Sequence, residues 1–222
     1  MAGDPQWRRE LLIERSMRDS FMSRHPESPF VAERIPYHPL RYFAPAAPFR
    51  VEARLERRPI PEEAYLRTNR DGQSVMRYLG DLRFTLGKGR YSLRVFHAGE
   101  GVGTSVFIPF RDQTSGRETY GPGRYLVLEL NETDVYVLDF NRAFNPYCAY
   151  TDAYECGFPP SENDLPVAIR AGEKVWAQDE NPRTPNALIL ERTRRALAGG
   201  KPAARPAVAR KGRTTARRPR SR

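Results

Sequence analysis

Two stretches hold most of the side chains able to do chemistry. Residues 110–130 read FRDQTSGRETYGPGRYLVLEL, and residues 135–163 read VYVLDFNRAFNPYCAYTDAYECGFPPSEN. In the first, Asp112, Thr114 and Ser115 can hydrogen-bond nearby backbone and shape an irregular turn. Gly116, Gly121 and Gly123 permit positive φ. Arg111, Arg117, Glu118 and Arg124 surround them, and a turn alone does not require that many charges. Arg124 can fork onto a carboxylate such as Asp112 or Asp139, or onto an anionic ligand; residue type leaves both roles open. In the second, Asn141, Asn145 and Asn163 both donate and accept. Tyr147, Tyr150 and Tyr154 add rings with polar tips. Ten of the 22 Phe and Tyr residues fall between Phe110 and Phe158. Aromatic walls with a few convergent polar groups suit a small-molecule pocket, and equally an ordered loop with its own aromatic core.

Several mechanisms fail on their own requirements. Gly99-Glu100-Gly101-Val102-Gly103 precedes a strand-like run rather than a helix, so it reads as a turn and not as a phosphate loop. Ser105 lacks the second glycine of a nucleophile elbow, because Phe107 stands there. A Ser–His–Asp triad would have to draw on His25, His38 or His97. Cys148 and Cys156 are too far apart in sequence for a zinc knuckle. With His97 they are the candidate metal ligands, and no metal or cofactor is assigned. Buried thiols, a disulfide and half of a metal site are the three states open to them, and buried thiols suit the residue type. For hydrolysis by a carboxylate or a bound metal, the candidate bases are Asp112, Asp139 and Glu173.

These loops must be carried by strands. Phe49, Val51, Ala53 and Leu55 alternate with charged residues at period two. Ala64–Thr68 leads into the turn Asn69-Arg70-Asp71-Gly72, then Val75–Leu86. Gly87-Lys88-Gly89 turns into Tyr91–His97, and strands follow at Thr104–Phe110, Arg124–Leu130, Val135–Asn141 and Leu165–Ile169. Short spacing without crossover helices predicts a mainly β, antiparallel barrel or sandwich. Residues 26–190 form this domain. Residues 1–25 form a helix packed on it, with Asp4 as N-cap, Pro5 in the first turn and His25-Pro26 as the stop. Its expected apolar stripe is Trp7, Leu11, Met17 or Arg18, and Phe21, joined by Leu12 and Ile13; Arg8, Arg9, Glu10, Glu14 and Arg15 make the wet face. Residues 191–222 are expected as a short helix completing Ala187–Ala198, then a disordered basic tail.

The net charge of +10 is unevenly placed. Arg192–Arg222 holds ten Arg, two Lys and no acid, leaving 25 basic and 27 acidic residues before it. The body lacks the cationic surplus of a nucleic-acid-binding face. Residues 199–222 can attract nucleic acid or other polyanions without sequence preference. No apolar run approaches the roughly 20 residues of a membrane span, and the N-terminal residues lack a signal-peptide core. These features predict a cytoplasmic protein with no membrane partner.

The same blocks, with LPVAIRAGEK at residues 165–174, resemble a bacterial and archaeal family catalogued as the domain of unknown function numbered 1684. The resemblance runs from about Trp7 to Trp176. It places weight on Asp112, Thr114, Gly116, Thr119, Tyr120, Gly121, Gly123, Arg124 and Tyr125, and on Asp139, Asn141, Asn145, Pro146, Cys148, Cys156, Asn163 and Glu173. Tyr147 stands where family members often carry proline. The resemblance implies no particular activity, substrate or cofactor. The expected function is therefore binding of a small anionic or carboxylate ligand between loops 110–125 and 139–163, through Asp112, Thr114, Tyr120, Arg124, Asp139, Asn141, Asn145 and Asn163.

Overall fold

The computed structural model describes residues 4–98 and 105–176. The expected turn at Gly99–Gly103, the helix at Ala187–Ala198 and the basic tail lie outside the described residues.

The helix α1 spans Pro5–Arg24, with Asp4 Oδ1 accepting from Gln6 N at 2.9 Å. Its inner face differs from the expected stripe. Trp7, Leu11 and Met22 are buried, whereas Leu12, Ile13 and Met17 are exposed. Arg15 and Arg18, one of them assigned to the wet face, turn inward at the helical spacing that continues from Leu11 to Met22. Their stems pack while their heads find polar groups on the body. A one-turn helix α2 (Pro29–Ala32) follows, capped by Ser28.

The body is six antiparallel strands in a nearly closed barrel. They are β1 (Arg50–Arg67), β2 (Gln73–Leu86), β3 (Gly89–Ala98), β4 (Ser105–Phe110), β5 (Arg124–Glu129) and β6 (Val135–Asp139), in spatial order β5-β4-β3-β2-β1-β6. The runs expected separately at Phe49–Glu56 and Ala64–Thr68 are one strand. Pro59 and Pro61 are absorbed where its register with β2 shifts between Arg57 and Glu62, since proline cannot donate to a ladder. The turn after β1 sits where its Asp-Gly pair indicates, with Asp71 at φ 60°. Past β6 the chain folds back on the far edge: Tyr125 N and Phe144 N donate to each other's carbonyls at 2.9 and 3.0 Å. That bridge narrows the gap between β5 and β6. Leu55, Leu82, Leu93, Ile108, Leu126 and Leu138, with Phe84, Phe110 and Phe140, fill the interior.

Leu165–Ile169 is not a strand. Pro166 has no N–H, Leu165 N donates to Arg111 O at 2.8 Å, and Ile169 N donates to the Asp112 carboxylate at 3.1 Å. Its alternating Leu165, Val167 and Ile169 pack on the barrel core without making a ladder. No described helix is long and apolar enough to cross a membrane.

Candidate functional site

The two polar loops and residues 163–176 pack around the end of the barrel, and their side chains form three connected networks. The first joins Asp112, just past β4, to Arg124, which begins β5. Both side chains are fully buried, 2.9 Å apart. Asp112 Oδ1 accepts from Thr114 N, Thr114 Oγ1 and Ile169 N at 2.8, 2.6 and 3.1 Å. Thr114 Oγ1 lies 2.8 Å from Thr119 Oγ1. The Arg124 guanidinium donates to Asp112 and to the carbonyls of Ile169, Ala171 and Glu173. It also rests over the Phe110 ring at 5.2 Å. Desolvation pulls the Arg124 pKa down, and Asp112 opposes it. Only Nε lacks a partner, so a ligand clamp at Arg124 would have to act through that one atom.

The second network roots α1. Asp139 Oδ2 accepts from Trp7 Nε1 at 2.7 Å and Arg142 Nη1 at 2.8 Å. Asp139 Oδ1 accepts from Asn141 N and Nδ2 at 3.0 and 2.8 Å. The Asn141 amide also pairs with the backbone of Ala46 in both directions. Asn163 does similar work elsewhere: it donates to Arg94 O and Pro109 O at 3.0 and 2.7 Å and accepts from Arg94 N at 2.7 Å. It thereby ties β3 to β4, which share a single paired register position, Phe96 with Phe107.

The third network centres on Glu173, which is completely buried. Glu173 Oε1 accepts from Asn145 Nδ2 at 3.0 Å and from the Tyr150 hydroxyl. Oε2 accepts from Asn145 N at 3.1 Å and faces Arg18 Nε at 3.5 Å, an ion-pair distance beyond a good hydrogen bond. Arg18 Nη2 donates to Asn145 O at 3.3 Å, and its guanidinium lies 4.7 Å from the Phe144 ring centroid. Tyr42 pairs with Glu173 through an isolated bridge and carries the Arg15 guanidinium over its ring at 4.5 Å. Arg15 donates to Phe43 O and Asn141 O at 2.8 and 3.1 Å. Burial pushes the Glu173 carboxyl above its ordinary value, against Arg18, Tyr150 and the Asn145 N–H. Desolvation works against the Arg18 charge, but Tyr150, Glu173 and Tyr42 outweigh it and raise its pKa. Among the described residues, four buried atoms of this neighbourhood find no hydrogen-bond partner: Arg15 Nε, Arg18 Nε, Tyr42 OH and Asn145 Oδ1.

Tyr120 stands apart. Its hydroxyl lies 3.1 Å from Cys148 O and 3.7 Å from Cys148 Sγ, in a small cluster with Cys156. His97, on β3 opposite Arg77, is buried. Among the described residues no three His, Cys, Asp or Glu side chains converge as a metal site. The structure thus brings Asn145 and Glu173 together, and Asp112 with Thr114 and Arg124. It places Asp139 with Asn141, and Asn163 and Tyr120 at separate points. Sequence reasoning missed Arg18 and Tyr42 as partners of Glu173, and Arg15 as the cation over the Tyr42 ring. The signal was the helical spacing Trp7, Leu11, Arg15, Arg18, Met22.

Residues 36–174 match the family described as Protein of unknown function (DUF1684). Among solved structures, the chain is similar to the solution NMR structure of an uncharacterized protein from gene locus rrnAC0354 of Haloarcula marismortui. The two share 35% identity over 79% of this chain and 97% of that one, with a TM-score of 0.62. No curated protein matches the chain.

Proposed function

The chain belongs to the DUF1684 family of proteins of unknown function, so its activity must be read from its own site, and we propose that it binds a small anionic molecule, a carboxylate by preference, beside Glu173. The observation that carries this reading is the four buried atoms without a hydrogen bond on Arg15, Arg18, Tyr42 and Asn145, residues linked to Glu173 directly or, for Arg15, through the Tyr42 ring. A buried polar atom without a partner costs about 1–3 kcal/mol, and such groups call for an explanation. Arg15 Nε, Arg18 Nε and the Tyr42 hydroxyl are donors suited to an anion, and Asn145 Oδ1 accepts from a hydroxyl or amine on the same molecule. The Arg18 side chain is 26% exposed, which gives the site an edge toward solvent. This narrows the ligand site from both polar loops to the second loop, α1 and Glu173.

Thermal shift tests the reading, using the full chain at neutral pH with small carboxylates and inorganic phosphate as probes. A ligand at about 100 times its Kd stabilises by roughly 2.7 kcal/mol. The wild type gains melting temperature with at least one probe. Tyr42→Phe loses that gain while keeping the unliganded transition, and Arg18→Gln loses it from a lowered transition, because Glu173 is left without its facing cation. No gain with any probe, together with equal native and denatured masses for freshly purified protein, defeats the proposal and leaves the four atoms to bridging water.

A hydrolytic reading rests on one specific observation: Glu173 is buried beside Tyr150 with its pKa raised, as a general acid or base requires. Asp112 and Asp139 are the other candidate bases, and like Glu173 each accepts from protein donors on both oxygens. The cationic residues 199–222 add a salt-sensitive attraction to polyanions, and deleting them removes it if the body contributes none. A cytoplasmic location is part of the same proposal.

A further inference from the structure

Cys148 and Cys156 are brought together by two unrelated anchors. Cys148 sits in the 3₁₀ turn Tyr147–Ala149, fully buried, with its carbonyl accepting from Tyr120. Cys156 is tied to the hairpin turn after β1: its N–H donates to Asn69 Oδ1 at 2.7 Å, and Asn69 N donates to its carbonyl at 3.3 Å. Asn69 Nδ2 holds Tyr154 O at 3.0 Å, and Thr68 Oγ1 holds Glu155 at 2.6 Å. Both cysteines are free, and Cys156 is partly exposed.

Cys156 packs against the buried cluster of Tyr120, Cys148 and Ala149, and each thiol shifts the titration of the other. The Cys148 thiol, ahead of the opposing effect of burial, and the backbone of Cys148 and Tyr147 pull the Cys156 pKa below its ordinary value, while the Tyr125 hydroxyl donates to Gly157 O at 2.7 Å. The Cys148 thiol, chiefly because of Cys156 and then burial, is held protonated. Donors around one sulfur favour its thiolate, and a thiolate is the reactive form. A partly exposed thiol packed beside a fully buried one is the asymmetry of an attacking and a resolving cysteine.

We propose that Cys156 and Cys148 form a hydroperoxide-reactive dithiol, with Cys156 attacking and Cys148 resolving. The Cys156 thiolate attacks the terminal peroxide oxygen: an S–O bond forms, the O–O bond breaks, and the departing oxygen leaves as alcohol or water after taking a proton. The sulfur is oxidised by two electrons to sulfenic acid and the peroxide is reduced. Cys148 then gives up its thiol proton and attacks Cys156 Sγ. The S–S bond forms, the S–O bond breaks, and water leaves. Two molecules of a thiol reductant return the disulfide to the dithiol and become a disulfide themselves.

The test treats reduced full-length protein with a modest excess of hydrogen peroxide and follows intact mass. The wild type loses the mass of two hydrogens and recovers it with dithiothreitol. Cys148→Ser gains one oxygen at Cys156, captured by dimedone, and Cys156→Ser keeps its mass over the same exposure. Where a serine variant fails to fold, peptide mapping of the oxidised wild type decides, because the proposal requires a linked 148–156 peptide pair. Two alkylatable thiols remaining in the peroxide-treated wild type would falsify it. So would oxidation of Cys148 in a folded Cys156→Ser variant at the wild-type rate.

Discussion

Arg124→Met removes the largest fully buried cation of the structure while approximately keeping its volume. Its cost can be built from the partners left behind. Asp112 keeps Thr114 N, Thr114 Oγ1 and Ile169 N but loses its only countercharge, and the carbonyls of Ile169, Ala171 and Glu173 lose donors. Breaking one side of a buried ion pair costs about 3–5 kcal/mol, a large share of the roughly 5–15 kcal/mol that holds a domain together. Urea unfolding followed by far-ultraviolet circular dichroism measures it. The expected loss is about 3–5 kcal/mol, approaching outright unfolding at the upper end. Asp112→Asn supplies the other corner of a double-mutant cycle, since its Oδ1 retains the three bonds from Thr114 and Ile169. The double variant should lose less than the two single losses added, by about 1–3 kcal/mol. A folded Arg124→Met with less than about 1 kcal/mol of loss would mean that the pair contributes little more than an exposed one. That result would refute the structural role and return the guanidinium to ligand binding.

Glu173 gives a pH signature. Its folded pKa lies above its ordinary value, so between the ordinary carboxylate range and the raised value the native state binds more protons than the unfolded chain. Stability therefore falls as pH rises through that window. Glu173→Gln, which keeps the side-chain shape, should flatten this slope in melting temperature against pH; an unchanged slope would assign it to another group. Trp7→Phe removes the donor to Asp139 while keeping most of the ring. The expected loss is about 1.5–3 kcal/mol, as for a bond to a charged group, with amide exchange in α1 rising first. Equal exchange in both proteins would show that α1 is held by apolar contact alone.

The strands were legible because their signals are local. Period-two alternation marks the first part of β1, and Asp71-Gly72 and Gly87-Lys88 mark turns wherever the rest of the chain goes. Leu165–Ile169 carries the same alternation, yet its N–H groups at Leu165 and Ile169 go to Arg111 O and Asp112. Pattern alone cannot tell a ladder from an isolated backbone bridge at Arg111 and Asp164 followed by a bond to a side chain. The polar loops were equally visible, but not the destination of their bonds: Asn163 reads as a site residue and acts as a wedge between β3 and β4. Arg15 reads as a solvated charge, and Arg18 as no more than an alternative to Met17 in the stripe, because what they meet on the inside is Asn141 in one case and Asn145 with Glu173 in the other, all more than a hundred residues away. The site is a property of that closure, which no window of sequence contains.

The docking of α1 also bears on the order of assembly. During synthesis the helix emerges before the barrel, but Trp7 waits for Asp139, 132 positions later, and Arg15 for Asn141, 126 positions later. Loop-closure entropy is paid before such contacts return anything, so high contact order slows folding. Until residues 139–173 leave the ribosome, the inward surface of Trp7, Leu11 and Met22 stays uncovered on the nascent chain. That interval is when the protein is most open to chaperone capture or misassociation. A substitution that weakens α1 docking would therefore lower the yield of newly made protein as well as the stability of the finished fold.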